Sequence, residues 1–254
     1  MQIENSVVVI TGAASGLGWA TAQVLEVQGA RVALLDRQAS VFAQADTLGG
    51  AAMAATVDVT DTASAEAAYQ QVMARWGRID ALINCAGIGG ASRTLGKQGP
   101  MPLDLFQRIV QVNLLGSFNM ARLAAEQIAK NAAGDDGERG VIIHTASIAA
   151  YEGQVGQVAY SASKGGIVGM TLPMARDLAG MGIRVNTIAP GIFATPLMQA
   201  AGDEVSQPLI AATQFPKRLG LPQEFGELVA HILGNRFING EVLRIDGALR
   251  MPPR

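Results

Sequence analysis

The chain has 254 residues, a formal net charge of −2 and 49% hydrophobic residues, a length that suits one large α/β domain or two small ones and needs no disulfide or metal to hold a core. The near-neutral charge gives no support to nucleic acid or an anionic membrane as main partner, and one cysteine excludes an intrachain disulfide. The opening residues Met1 to Asn5 carry no basic leader, and no apolar run reaches the ~18 residues of a membrane span, so a cytoplasmic location is expected.

In chain order, apolar and β-branched runs at 6–11, 31–35, 53–57, 79–84, 141–146, 183–188 and 241–245 predict seven short buried strands. Helical periodicity predicts helices over 16–27, 63–76, 103–129, 158–178 and 222–233, with a short one over 39–50. Strand–helix alternation with continuously apolar strands implies a doubly wound α/β fold of Rossmann type: a seven-stranded, mainly parallel sheet covered on both faces. No repeat or linker divides the chain, so residues 1–254 are expected to form a single dinucleotide-binding and catalytic domain. Gly-rich stretches at 87–102 and 131–140 read as loops. The apolar but irregular segment 191–215 suits a cover over a substrate.

The first predicted strand runs into Thr11-Gly12-Ala13-Ala14-Ser15-Gly16-Leu17-Gly18. Gly12 can make the tight turn, Gly16 lets backbone approach a diphosphate, and Gly18 allows close helix–strand contact, while the next helix turns its N-terminal amides toward negative charge. An ordinary glycine-rich strand–helix turn would look the same in isolation; the strands on both sides favour the dinucleotide reading. Asp36 ends the second strand, where a carboxylate can hold adenosine ribose hydroxyls and repel a 2′-phosphate. NAD is therefore expected, although Arg37 is a basic residue of the kind that accommodates NADP.

Tyr160 and Lys164 are four residues apart on a predicted helix and so share a face. An ammonium there would draw the phenol pKa from near ~10 toward neutrality and equip the tyrosine to exchange a proton with an alcohol or carbonyl. Ser147 lies thirteen residues before Tyr160. With the glycine turn, these residues point to an oxidoreductase.

The ordered motifs resemble those of the short-chain dehydrogenase/reductase superfamily over the whole chain. They are the turn at Thr11 to Gly18, Asp58-Val59, Asn84-Cys85-Ala86-Gly87, Asn113, Ser147, Tyr160 with Lys164, and Pro190-Gly191. The run Gly153-Gln154-Val155-Gly156-Gln157 with Ala159 to Pro173, and the ending Asn239-Gly240-Glu241-Val242 with Asp246-Gly247-Ala248, are similar to the type-2 3-hydroxyacyl-CoA dehydrogenases, also called type-10 17β-hydroxysteroid dehydrogenases. The stretch 89–102 is shorter and differently composed than in mammalian members.

The resemblance implies roles residue by residue. Tyr160 would be the general acid/base, Lys164 would lower its pKa and hold the nicotinamide ribose, and Ser147 would bind the reacting oxygen. Asn113 would support a water that relays protons to Lys164. Ser15 and Leu17 join Gly12, Gly16 and Gly18 in the cofactor loop, and Asp58 and Val59 would flank the adenine. Cys85 and Gly87 would line the ribose side, and Phe193 and Thr195 would close over the nicotinamide amide. The implied reaction is hydride transfer between NAD and a 3-hydroxyacyl-CoA or similar apolar alcohol, hydroxysteroids included. The rivals are an NADPH-dependent 3-oxoacyl-carrier-protein reductase and, in another class, a non-catalytic protein-binding scaffold. A homotetramer is implied as well, with Gly165, Gly166 and Gly169 allowing a close approach and Ile167, Val168 and Met170 adding apolar area. The isolated His144 and His231 do not make a metal site. Pro173 is expected to break or kink its helix.

Overall fold

β1 (Val7–Thr11) is five residues with every side chain buried, and a strand apolar on both faces must lie inside a sheet that helices cover on each side. β2 (Arg31–Asp36), β3 (Ala52–Thr56) and β4 (Ala81–Asn84) follow. After a small hairpin of β5 (Leu95–Gly96) and β6 (Gly99–Pro100) come β7 (Gly140–Thr145), β8 (Ile183–Pro190) and β9 (Val242–Ile245). The order across the main sheet is β3-β2-β1-β4-β7-β8-β9, and every pairing in it is parallel. The computed structural model describes residues 1–200 and 202–253; Ala201, within the predicted covering segment, and Arg254 lie outside them.

Alternate residues of each strand enter different cores. Val8, Ile10, Leu34 and Ile83 pack on one face with α1 (Gly16–Val27), α2 (Ser40–Leu48) and, later in the chain, the helix that contributes Phe225 and Val229. Val7, Val9, Leu82 and Ile142 pack on the other with α3 (Thr62–Trp76) and residues such as Met120 and Ile128. α3 begins where the Asp61 side chain accepts from the Ala63 amide and ends at Gly77, which takes a left-handed conformation.

Three predicted features are corrected. The helix expected over 103–129 is α4 (Leu103–Val110), a π-turn (Gln111–Gly116) and α5 (Ser117–Ile128). A Cβ on Gly116 would overlap Val59, and the Ser117 hydroxyl donates to the Asn113 carbonyl at 2.7 Å, so the wider turn is set by tight packing and a side-chain bond that periodicity does not reveal. After α6 (Ala149–Glu152), α7 (Val158–Ala179) runs unbroken through Pro173. Pro173 is exposed, so the carbonyl it leaves without a helical partner can turn to water. The segment 191–215 is less irregular than expected: it holds α8 (Pro196–Gln199) and α9 (Asp203–Ala212), and Leu209 packs with Ile148, Ile192 and Leu249. α10 (Pro222–Gly234) completes the first core.

Phe225 of α10 is wholly buried and meets the Phe193 ring edge-on, centroids 6.4 Å apart. Phe225→Ala is expected to lower unfolding free energy by about 3–5 kcal/mol, read from the urea midpoint at unchanged slope.

Candidate active site

The glycine turn sits at the carboxyl edge of β1, wedged between two backbones. Gly12 has φ +67°, and a Cβ there would lie 2.7 Å from the Ala86 amide nitrogen; one on Gly18 would overlap the Gly12 carbonyl oxygen. These glycines keep backbone amides exposed at the start of α1, where phosphate oxygens can be received. Asp36 ties down the same turn, its carboxylate accepting from Ala14 N at 3.0 Å, and is itself held by Gln38 N at 2.9 Å.

A cleft opens over this edge. It is lined by Gly12, Ser15, Gly16, Leu17, Gly18, Asp36, Asp58, Val59, Cys85, Gly87 and Thr195, all named from sequence. Arg108, Val112 and Leu197 also line it and carry no sequence signal of their own. Asp58 accepts from the Thr60 hydroxyl at 2.7 Å and amide at 2.9 Å. Those bonds hold its carboxyl below the usual range, with Arg37 adding a smaller charge effect. Burial pushes the Cys85 thiol up to about 11 although Thr145 Oγ1 donates to it. Thr195 caps α8 by accepting from Met198 N. Phe193 is not among the residues lining this cleft: its ring packs against Gly220 and Phe225 in the core. A dinucleotide fits this surface, because the cradle exists only where side chains are missing.

Asn113, Ser147, Tyr160 and Lys164 converge beside the cleft. Asn113, on the π-turn, accepts from Ile88 N at 2.8 Å, and its amide donates to Ile88 O at 3.0 Å and Ser163 Oγ at 3.1 Å. Ser163 Oγ in turn donates to Tyr160 O at 2.7 Å, which ties the π-turn to α7. Gly87 leaves space here, since a Cβ would lie 3.2 Å from Asn113 Oδ1 and 3.6 Å from Lys164 Nζ. Lys164 Nζ donates to the Thr145 carbonyl at 2.8 Å and lies 5.8 Å from the Tyr160 ring centroid. Ser147 is buried just past β7, its Oγ accepting from Ala149 N at 3.1 Å. Ile88, Thr145 and Ser163 were not singled out from sequence; Ser163, three residues after Tyr160, could have been by helical spacing.

The electrostatics correct one expectation. Tyr160 is raised, not lowered: desolvation lifts it, and the Ser147 hydroxyl beside it pulls the other way. Burial lowers Lys164 to about 8. Both groups lose water, and the ammonium spends one donor on Thr145, so solvation outweighs the attraction inferred from spacing.

The family of these elements is now fixed. A family model described as short chain dehydrogenase matches residues 6–206, and the chain belongs to that family of oxidoreductases. It is 53% identical to 3-hydroxyacyl-CoA dehydrogenase type-2 of Bos taurus, over 99% of this chain and 97% of the relative. It is 52% identical to the protein of that name from Homo sapiens, with the same coverage. A crystal structure of 3-hydroxyacyl-CoA dehydrogenase type-2 from Mycobacterium avium superposes with a TM-score of 0.94 at 42% identity, covering 100% of this chain and 98% of the other.

Lys164 supplies a prediction that needs no substrate. Its folded pKa of about 8 lies below its unfolded value of 10.5, so between these pH values the unfolded chain binds the extra proton and stability rises with pH. Relative to Lys164→Met, the wild type is expected to gain up to about 1.4 kcal/mol per pH unit in that window, measured by urea unfolding at pH 8 and 10.

Proposed function

We propose that the protein is an NAD-dependent 3-hydroxyacyl-CoA dehydrogenase, a single domain that oxidises a secondary alcohol to a ketone and runs in reverse. The observation that carries this reading is the convergence of Ser147, Tyr160 and Lys164 on the sheet edge that also bears the glycine cradle. The names of the relatives support the thioester substrate.

The cofactor's diphosphate would lie on Gly12, Ser15, Gly16, Leu17 and Gly18, with its adenosine ribose at Asp36 and its adenine between Asp58 and Val59. Cys85 and Gly87 would face the inner ribose, and Thr195 the nicotinamide amide. When bound, the nicotinamide supplies the hydride acceptor or donor. Tyr160, as phenolate, takes the substrate hydroxyl proton in oxidation, and as phenol returns it in reduction. Ser147 holds the reacting oxygen by a hydrogen bond. Lys164 remains mostly charged at neutral pH and steadies the phenolate as it forms. Asn113 supports the proton path from the π-turn, and the segment 191–215 covers the substrate.

Asp36 supports NAD over NADP, because two backbone bonds anchor its carboxylate where a 2′-phosphate would be repelled. Arg37 is exposed and acts on Asp58. A homotetramer is supported by a stripe on α7. A Cβ on Gly165 or Gly169 would meet nothing within 4 Å, and Leu172 is exposed, as are Leu115 of the π-turn and Phe118 of α5. The apolar contribution expected from Ile167 is absent from this surface, since Ile167 is wholly buried, and Gly166 is covered by Leu114.

Tyr160→Phe is expected to cut kcat by about 10²–10⁴-fold with NAD affinity preserved; a variant with near-normal turnover would sink the assignment. Comparing kcat/KM with both nucleotides should give an NAD preference that narrows in Asp36→Ala, whereas a wild-type NADP preference would favour the carrier-protein reductase. Light scattering is expected to give four times the 26.4 kDa chain mass, and a monomer mass would refute assembly.

A further inference from the structure

Thr11, Asn84, His144 and Thr187 form one row across four strands. Thr11 is in register with Asn84, Asn84 with His144, and His144 with Thr187. Register partners in a sheet point to the same face, so four polar side chains lie side by side in the layer that α5 and α7 cover. All four are buried, His144 wholly so. Burying such groups is costly unless each is paired.

The pairing is directional. Thr187 shares a 2.6 Å hydrogen bond with Thr171 of α7. Thr11 Oγ1 accepts from Ala86 N at 3.1 Å and donates to Asn84 Oδ1 at 3.3 Å. Asn84 Nδ2 donates to the Ser117 carbonyl at 3.1 Å, which fixes which end of the amide faces that way, and lies 3.2 Å from His144 Nδ1. An amide NH₂ facing Nδ1 requires a lone pair there, so the ring is neutral with its proton on Nε2. Burial, reinforced by the nearby Lys164 charge, holds His144 down at about 4. Nε2 itself has no hydrogen-bond partner among the described residues. The histidine therefore leaves a buried donor unsatisfied while supplying an acceptor to Asn84. A leucine in its place would avoid that cost, and would remove the acceptor.

We propose that His144 is a positioning residue for the cofactor turn: its Nδ1 fixes Asn84, Asn84 fixes Thr11, and Thr11 holds the Ala86 amide against Gly12. This rests on the reading of the Thr11 to Gly18 turn as a dinucleotide site. The chain ends on the backbone that a Cβ at Gly12 would strike, 2.7 Å away, so a small rotation of Asn84 is passed to the surface that receives the diphosphate. The role belongs to one ring nitrogen, and short amides separate the two. An Asn side chain places its Oδ1 where Nδ1 stands, whereas Gln places its terminal group at the position of Nε2.

The test is NAD affinity by titration calorimetry on the intact protein, with KM for NAD and kcat measured alongside. His144→Leu and His144→Gln are expected to weaken NAD binding about ten-fold and raise KM with little change in kcat, whereas His144→Asn stays within about two-fold of wild type. Near-UV circular dichroism checks folding; where the leucine variant fails to fold, the Asn and Gln pair decides alone. Wild-type affinity in His144→Gln, or a weakening in His144→Asn as large as in His144→Gln, would overturn the proposal. A wild-type protein that binds neither NAD nor NADP would instead overturn the cofactor site, and the proposal with it.

Discussion

Backbone meets backbone at the carboxyl edge of the sheet, and the rest of the site depends on that contact. The turn after β1 leans on Ala86, α1 leans on the Gly12 carbonyl, and the start of the loop after β4 leans on Asn113 and Lys164. Each contact closes only where the chain lacks a Cβ. The consequence is a floor of main-chain amides rather than side chains, and main-chain amides hold their direction without rotamer freedom. Asp36 adds its bond from Ala14 N to keep that floor in place.

Beside that rigid floor the ionisable groups are held by solvation more than by one another. Lys164 and Tyr160 are both desolvated, and the largest cause of each shift is burial. An amine brought down to about 8 from 10.5 and a phenol pushed up from 10.0 are driven apart from ordinary values that lie close together. Burial thus favours the neutral form of both groups, and the charge each carries during reaction must be supported by its hydrogen bonds. The Thr145 carbonyl and the Ser163 hydroxyl serve this arrangement by fixing Lys164 and Asn113.

Most of the sheet was legible because a buried parallel strand carries apolar residues on both faces, as β1, β4, β7 and β8 do. The cleft was legible because the glycines that build it stand at fixed spacing after a strand. What escaped was set by tertiary contact. The π-turn at 111–116 follows from Gly116 against Val59; the Phe193 ring turns inward because Phe225 and Gly220 receive it; Pro173 is tolerated because its face is open to water. The sign of the Tyr160 shift also escaped, since spacing reports a neighbouring charge and says nothing of the water removed from both.

β8 is the longest strand, with all eight residues buried, and its order in the sheet places it between β7 and β9. One of its edges is covered only by β9, which is made after α8, α9 and α10. During synthesis the ribosome therefore releases a strand destined for full burial whose outer hydrogen-bonding edge stays open until Ile245 has emerged. Such an edge is a template for pairing between nascent chains. The late β8–β9 pairing thus leaves one edge of the sheet's longest strand unpaired until the chain is almost finished.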